Sequence, residues 1–410
     1  MLKIITGCLL GSFIVLSSCS QSYLPDDLFT YPSDSDPVLE YTFERDVLVG
    51  SPAHSAHLTP PEPFAGPKDD YEYFFNYRLE HFAPNTEPFM EERFGSRLGI
   101  KQDSLWEHRS YTSCAVGFSS SLPSISVIEY GETAAYGSHT DVSESYFYNH
   151  LHYLKNLKEK TTYHYRVIIQ DHSGAAVALP DRTFTTKDFT TEVKLYQGNF
   201  THYIEGDDRP RPGLWITDPG VYVLMEDITS DGLGINVKSN DVTIDLNGHI
   251  LTYDNGSTLP AEGGQYNESG SWGIRAGLWN FVNTKLYNGV VKQGITGTSG
   301  CGPLFLFHMG GATQNEVAGL TIDYYGDQTS GMYTGKGYVH HNLVYDRGSV
   351  VTDRHMAVRA LVAEPGASTE VAYNSLRRFR QRGIDGGTLV RDNELYCDSF
   401  DTNSFALGVG

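Results

Sequence analysis

The sequence has no apolar run long enough to cross a membrane, and its basic residues are few. The apolar stretch from Ile4 to Leu16 is shorter than the roughly 20 residues that a bilayer-spanning helix needs. Lys and Arg number 30 against 50 Asp and Glu, so the formal net charge of the 410 residues is −20. Because a nucleic acid is bound by a basic face, this balance argues against a nucleic-acid partner.

Cysteine is also scarce, with 5 residues and no CxxC pair. Cys8 lies in the apolar stretch, and Cys19 follows its last residue by three positions. The cysteines beyond this N-terminal region are Cys114, Cys301 and Cys397. We therefore expect no metal site. A Cys301–Cys397 disulfide and buried free thiols both remain open. The absence of a Gly-rich phosphate loop, HExxH and GxSxG weakens nucleotide-binding, zinc-protease and serine-hydrolase functions.

The N-terminal residues have the pattern of an export signal. Lys3 precedes the apolar stretch and Leu16-Ser17-Ser18-Cys19 follows it. These four residues resemble the bacterial lipobox, in which the cysteine becomes the lipidated first residue. The resemblance implies a signal peptide over 1–18 and a bacterial envelope protein that is anchored to a membrane through a lipid on Cys19. Ser20, which follows in place of Asp, implies the outer membrane or the cell surface.

Residues 19–107 are predicted to hold the lipidated cysteine, a tether and an N-terminal segment of unassigned role. Prolines and small polar residues are frequent between about residues 20 and 70, so this stretch has little apolar surface to bury. Residues 71–107 contain more aromatic residues but no motif.

Residues 108–188 alternate between apolar and polar side chains with a period of two, as in strands of an antiparallel sheet. The most informative residues are Val127-Ile128-Glu129-Tyr130-Gly131, Leu157, Tyr163-His164-Tyr165-Arg166-Val167 and Phe184-Thr185-Thr186. This pattern resembles a fibronectin type III domain, in which a corner tyrosine follows a leucine at the spacing of Leu157 and Tyr163. The resemblance implies a β-sandwich that acts as a spacer or presents a ligand, and it does not imply catalysis.

After a junction over residues 189–220, a unit bounded by aliphatic residues recurs along the chain. Its copies are Val317 to Ile322, Val339 to Val344, Val371 to Leu376 and Val390 to Leu395, which begin at intervals of 22, 32 and 19 residues. Such a period indicates a β-solenoid, and unrelated sandwich strands are the alternative. The fourth position is Leu320 in the first copy and then Asn342, Asn374 and Asn393. Asparagine accepts a left-handed conformation at a bend and can bond to its counterpart in the next coil, so we expect the three to form a column.

The segment from Asn240 to His249 resembles the opening turn of right-handed parallel β-helices of the pectate-lyase-like superfamily. The resemblance implies a β-helix over residues 221–410. The predicted fold class is therefore all-β, a fibronectin type III-like β-sandwich followed by a right-handed parallel β-helix. The stretch from Ser404 to Gly410 reads as an unfinished turn, so we expect either further turns or a capping partner.

The resemblance also implies a groove for polysaccharide along one sheet face. Asp353, Arg354, His355 and Arg359 form a polar cluster in the longest interval, where His355 would act as a base and an arginine would bind a carboxylate. Elimination from a uronate needs such a base and a cation such as calcium, or an arginine, beside the carboxylate. The alternative is a solvated loop with surface ion pairs.

Two further groups are predicted to bind substrate. Arg378, Arg380 and Arg382 would project to one side of an extended strand and bind an acidic polysaccharide, unless they form a solubilising face. Tyr324 and Tyr325 would stack on sugar rings, unless they pack in turns.

Two histidine-containing segments complete the candidates. The adjacent His340 and His341 would point in opposite directions on a strand and so would not share a metal. In the sandwich, Tyr146, Tyr148, His150 and His152 alternate onto one sheet face. We expect that face to contact the second module or a carbohydrate.

These patterns predict a surface-anchored bacterial lipoprotein whose β-helix engages a polysaccharide, as a lyase or a glycoside hydrolase. The alternative is a non-catalytic carbohydrate-binding or adhesion protein on the same scaffold.

Overall fold

A computed structural model describes fifteen ranges of the chain. They are residues 29–30, 98–143, 146–171, 174, 176–201, 213–256, 272–276, 283–295, 302–306, 315–324, 330–346, 359–363, 369–378, 382–395 and 405–408. Within them, regular structure is β-strand except for 3-10 turns at Gln102–Ser104 and Gln197–Asn199. No helix in these ranges is long and apolar enough to span a bilayer. The predicted signal peptide and Cys19 lie outside the described residues.

Nine strands form an antiparallel sandwich. They are β1 (Phe29–Thr30), β2 (Ile100–Lys101), β3 (Trp106–Arg109), β4 (Cys114–Gly131), β5 (Ser138–His139), β6 (Phe147–Leu154), β7 (Thr162–Asp171), β8 (Ala176–Ala178) and β9 (Arg182–Thr185). The long strand β4 belongs to both layers. Its first half pairs with β3 and β6, and its second half pairs with β5 and β7. The register shifts between Ser119 and Ser124, where the strand passes from one layer to the other.

The predicted tyrosine corner is confirmed. Tyr163 begins the inward-facing positions of β7, and its hydroxyl accepts a hydrogen bond of 2.9 Å from the backbone N–H of Lys158. Leu157 is buried in the same core. The corner ties the chain that enters β7 to the strand itself, as in fibronectin type III domains.

The remaining strands coil into parallel sheets with three faces. The first face comprises β10 (Val193–Leu195), β12 (Gly220–Leu224), β15 (Val242–Asp245), β18 (Thr284–Gln293), β20 (Asn315–Tyr324), β22 (Gly337–His340), β25 (Glu370–Ala372) and β28 (Leu389–Arg391). The second face comprises β13 (Ile228–Thr229), β16 (Ile250–Tyr253), the later halves of β18 and β20, β23 (Leu343–Asp346), β26 (Ser375–Arg378) and β29 (Glu394–Leu395). The third face comprises β11 (Leu214–Ile216), β14 (Ile235–Val237), β17 (Ile274–Ala276), β19 (Leu304–Leu306), β21 (Ser330–Thr334), β24 (Arg359–Ala363), β27 (Arg382–Gly386) and β30 (Phe405–Gly408).

Buried aliphatic side chains stack in columns from coil to coil. The column of the first face is Ile244, Leu286, Val317, Val339 and Val371. The column of the second face is Leu251, Val291, Ile322, Val344 and Leu376. Each of the first three copies of the recurring unit supplies its first aliphatic residue to one column and its last to the other, and Val390 and Leu395 of the fourth copy pair with the ends of the two columns. The predicted solenoid is confirmed, and the alternative of unrelated sandwich strands is wrong.

The asparagine column is also confirmed, at the corner between the first and second faces. The Asn342 amide donates to Asn374 Oδ1 and the Asn374 amide donates to Asn393 Oδ1, both at 2.9 Å. Leu320, the exception in the sequence pattern, donates its backbone N–H to Asn342 Oδ1 at 2.9 Å. All three asparagines are fully buried.

The expected left-handed conformation belongs to the residue before each asparagine. His341, Tyr373 and Asp392 have φ of 53°, 56° and 55°, and Gly319 occupies the same position with φ of 64°. The asparagine side chains turn inward to bond neighbouring coils, so the preceding residue makes the bend. Its side chain consequently projects outward from the corner.

Parallel pairing begins earlier than residue 221. Val193–Leu195 pairs with Tyr222–Leu224 inside the stretch assigned to the junction. Three residues are too few to display a period in sequence, which is why pattern alone places the start later.

Candidate functional site

The arginines predicted to line one strand lie on different faces of the β-helix. Arg378 ends β26 on the second face, whereas Arg382 begins β27 on the third face, so no single strand presents both. The prediction of one arginine stripe is therefore wrong, because Arg378 and Arg382 belong to strands of different sheets. Arg380 lies outside the described residues.

The predicted catalytic cluster is described only in part. Arg359 begins β24, and its Cα is paired with that of Arg382 in the next coil. The fold thus brings together the backbones of two residues from separately predicted groups. Asp353, Arg354 and His355 lie outside the described residues, as does Tyr325.

Tyr324 is not available to a sugar. Its side chain is fully buried among the aliphatic residues of the β-helix core. At the end of β20, Ile322 and Tyr324 are buried, so the outward position between them belongs to the half-buried Asp323. The aromatic residue therefore fills the inside of the coil, and the prediction of a stacking platform is wrong.

The two adjacent histidines do not point in opposite directions. Because His341 has a positive φ, the strand alternation is interrupted, and its Nδ1 lies 2.8 Å from Nδ1 of His340. His341 Nε2–H donates to the carbonyl of Ser104 at 2.7 Å, and His340 Nε2 lies 3.4 Å from a carboxylate oxygen of Glu316. Both rings therefore belong to a buried contact between the two modules. Burial holds the pKa of His341 near 3.

The sandwich packs along the asparagine corner, a contact that sequence reasoning did not identify. Trp106 stacks on His341 with ring centroids 5.3 Å apart. The Tyr153 hydroxyl donates to the carbonyl of Gly289 at 2.9 Å and lies 2.9 Å from the hydroxyl of Thr321. Aromatic side chains from β3 and β6 thereby fix the sandwich to both sides of the corner.

A carboxylate of the β-helix also caps strand β6. The two oxygens of Glu394 accept hydrogen bonds of 3.1 Å from the backbone N–H groups of Tyr148 and Asn149. Asn149 in turn donates to the carbonyls of Asn374 and Asp392 at 3.2 and 3.1 Å. Backbone polar groups at this edge of the sandwich are thus satisfied by the β-helix.

The β-helix contacts the face of β6 opposite to the one that carries His150 and His152, which the sequence had suggested as the contact face. Asn149, Leu151 and Tyr153 face the coils. His150 and His152 are buried inside the sandwich, where they bond to serine hydroxyls. The polarity of the two histidines suggested a contact surface, but serine hydroxyls of β4 bond to both rings in the interior of the sandwich.

A cleft of about 510 Å³ lies where the sandwich and the second face of the β-helix diverge. The described residues of its lining are Tyr130, His139, Thr140, Asp141, Val142, Ser143, Leu151, His152, Tyr153, Lys155, Val290, Thr321, Asp323, Leu343, Tyr345 and Arg377. The β-helix wall offers the apolar Val290 and Leu343 and the ring of Tyr345. The sandwich wall offers the exposed polar groups His139, Asp141 and Lys155.

Several groups in the lining are held in fixed positions. Arg377 is buried, and it donates to the hydroxyl of Tyr345 at 3.1 Å. Lys155 Nζ lies 5.7 Å from the centroid of the Tyr153 ring. Burial and, to a smaller degree, the charge of Arg377 lower the pKa of His152 to about 3, so this imidazole is neutral at pH 7.

No cluster of three or more His, Cys, Asp or Glu side chains suited to a metal ion occurs in the described part of the chain. Cys114 is a buried free thiol in the sandwich core, and burial raises its pKa. Cys301 and Cys397 lie outside the described residues.

Comparison with known proteins finds matches among solved structures. No family model and no curated protein matches the chain. The fibronectin type-III domain of human fibronectin type III domain containing protein 3 is 20% identical, covers 22% of this chain and 88% of its own, and has a TM-score of 0.17. The family 28 exopolygalacturonase of Yersinia enterocolitica is 12% identical, covers 72% of this chain and 74% of its own, and has a TM-score of 0.33.

Proposed function

We propose that this protein binds a carbohydrate chain in the cleft between its sandwich and its β-helix. The observation that carries the proposal is the cleft itself, whose volume of about 510 Å³ lies within the range of small-ligand sites. Three tyrosines, Tyr130, Tyr153 and Tyr345, line it together with charged and hydroxyl groups. Its position between two modules is also typical of binding sites.

The two walls match the two kinds of surface on a sugar ring. A pyranose presents C–H groups on its faces and hydroxyl groups around its rim. The faces pack on apolar and aromatic side chains, here Leu343 and Tyr345 of the β-helix wall. The hydroxyls bond to polar groups, here His139, Asp141 and Lys155 of the sandwich wall.

A substitution that fills the cleft tests the proposal. Val290 is half-buried, points outward from the second face and lines the cleft. We expect Val290→Trp to weaken glycan binding by roughly tenfold or more, because the indole would occupy the space of the ligand. Binding is measured by affinity electrophoresis and calorimetry against a panel of soluble glycans.

Lys292→Trp is the matched control. Lys292 is exposed two residues further along the same strand, and it does not line the cleft. The Lys292→Trp variant should bind glycans as tightly as the parent does. The proposal fails if the parent binds no glycan in the panel, or if Val290→Trp binds as tightly as the parent. Release of reducing ends or unsaturated uronates by the parent but not by Val290→Trp would support the cleft and assign a reaction to it.

We also propose that the protein is anchored to the bacterial cell envelope, at the outer membrane or the cell surface. The lipobox-like residues ending in Cys19 support this proposal. Cells labelled with a palmitate analogue should lipidate the parent and not Cys19→Ala, and the variant should leave the membrane fraction. Equal labelling of the two proteins would contradict the proposed lipid anchor on Cys19.

A further inference from the structure

We infer that the carbohydrate bound in the cleft is uncharged. This inference rests on the proposed function and narrows its ligand from polysaccharides in general to neutral glycans. The sequence had favoured an acidic polymer on account of its arginines. The positions and bonds of the charged side chains in the cleft favour the opposite.

The arginine in the cleft lining is committed to the protein. Arg377 donates from Nε to the hydroxyl of Ser375 at 3.3 Å, from one terminal nitrogen to the Tyr345 hydroxyl at 3.1 Å, and from the other to the carbonyl of Asn149 at 3.0 Å. Its guanidinium also lies 4.2 Å from the centroid of the Phe147 ring. Three of its five N–H groups have partners and the residue is only 6% exposed, so burial keeps its fork from a ligand carboxylate.

Among the described residues of the lining, with histidine counted as neutral, the formal charges balance to zero. Lys155 and Arg377 are the cations, and Asp141 and Asp323 are the carboxylates. His152 is neutral because its pKa is about 3. Burial raises the pKa of Tyr130 and of Tyr153, so these phenols stay protonated and add no negative charge. A polyanion would therefore meet no net positive charge on the described walls of the cleft.

The charge of the whole chain acts in the same direction. With a net charge of −20, the protein repels polyanions at long range. A polyuronate would need a local basic surface to overcome that repulsion. Two of the arginines that were expected to provide one, Arg378 and Arg382, lie on the second and third faces, and the described lining of the cleft has no net formal charge.

Three matched pairs of polymers test the inference. Polygalacturonate, polyglucuronate and polymannuronate are each compared with the same polymer after its carboxylates have been reduced to alcohols, next to the neutral glycans of the panel. We expect each reduced form to bind roughly tenfold or more tighter than its uronate at low ionic strength. The difference should shrink with added salt, because salt screens the repulsion.

A charge-neutralising variant sharpens the test. Asp141 is exposed on the cleft wall, whereas Asp231 is exposed outside the lining. Asp141→Asn should improve uronate binding relative to the reduced polymer, and Asp231→Asn, which changes net charge equally, should do so much less. An equal effect of the two variants would contradict the cleft-specific charge argument.

The outcomes separate the inference from the proposed function. Tighter binding of uronates than of reduced polymers, abolished by Val290→Trp, would overturn the neutral-ligand inference and leave the cleft as the binding site. If Val290→Trp weakens the binding of no glycan, the proposed function itself is overturned. Binding of neutral glycans alone, lost in Val290→Trp, supports both.

Discussion

Asn374 occupies the middle of the buried asparagine column and satisfies its neighbours on both sides. Its Oδ1 accepts from the backbone N–H and the amide of Asn342, and its own amide donates to the carbonyl of Val339 and to Asn393 Oδ1. Buried polar groups that lose a partner cost roughly 1–3 kcal/mol each. The corner therefore depends on a residue whose importance is its position in a stack.

We expect Asn374→Ala to lower the free energy of unfolding by roughly 3 kcal/mol, because it leaves polar groups of two coils without partners. Denaturant unfolding followed by circular dichroism measures the change. The exposed Asn240→Ala serves as a control, with an expected change within about 0.5 kcal/mol. Equal effects of the two substitutions would contradict the role of the column.

The buried histidines predict an acid limit to stability. Burial lowers the pKa of His152 and of His341 to about 3, below the unfolded value near 6.5. A lowered folded pKa means that the contribution is complete above pH 6.5 and is lost as the pH falls toward 3. Each histidine should reduce the free energy of unfolding by about 1.4 kcal/mol per pH unit over that interval.

Replacing one of them isolates its contribution. His152→Gln retains side-chain groups that can bond to Ser126 and Thr140, the partners of the imidazole, but it does not titrate. The slope of unfolding free energy against pH should decrease by about 1.4 kcal/mol per unit between pH 6.5 and 3. Phe184→Leu in the sandwich core should lower stability without changing the slope, and an unchanged slope in His152→Gln would refute the assignment.

At the scale of elements, the corner of each coil determines how closely the sandwich approaches. Gly319 occupies the left-handed position of its corner, where an added Cβ would lie 2.7 Å from the Trp106 ring. The indole in turn stacks on His341 of the next coil. A glycine is needed here both for its φ of 64° and for the space that it leaves.

Gly319→Ala should displace Trp106 and loosen the sandwich from the β-helix. Gly137→Ala is the matched control, because Gly137 also has a positive φ but no atom within 4 Å of an added Cβ. Trp fluorescence should shift to longer wavelength in Gly319→Ala and remain unchanged in Gly137→Ala. A shared response would indicate that backbone strain, and not the contact, is responsible.

The elements that could be predicted from sequence are those with a local period. The alternation along Tyr163, Tyr165 and Val167, and the recurring unit that contains Asn342 and Asn374, each place core residues on one side of a strand. The contact between the modules has no such period. Its signals are Gly117, which permits close approach, and the buried Ser110 and Ser113, whose hydroxyls bond to the β-helix, but the sequence alone does not identify what approaches.

The candidate site was less predictable than the fold, for a related reason. The arginines from Arg378 to Arg382 were interpreted as part of one extended strand. Arg378 and Arg382 instead belong to strands of different sheets, which are defined only by pairing between coils. The cleft instead draws Tyr130 and Asp141 from the sandwich and Val290 and Tyr345 from the β-helix. Residues so far apart in sequence can be grouped only after the two modules are in place.

At the scale of the whole molecule, the sandwich is a structural part of the β-helix and forms one wall of the cleft. Hydrogen bonds, ion pairs and ring contacts join it to coils from Asp245 to Glu394. The ion pair of Lys101 and Asp392, at 2.8 Å, is one of the buried contacts. A free spacer would leave these groups solvated, so the cleft depends on the two modules holding one arrangement.

Residue-resolved amide hydrogen exchange of the full chain tests this arrangement most directly. The backbone N–H groups of Tyr148 and Asn149 donate to Glu394 across the module boundary. They should exchange slowly in the parent and at least roughly tenfold faster in Glu394→Ala, while Val167 in the sandwich core remains protected in both. Fast exchange of Tyr148 and Asn149 in the parent, at the rate of an uncovered edge strand, would contradict the packed interface and the cleft that depends on it.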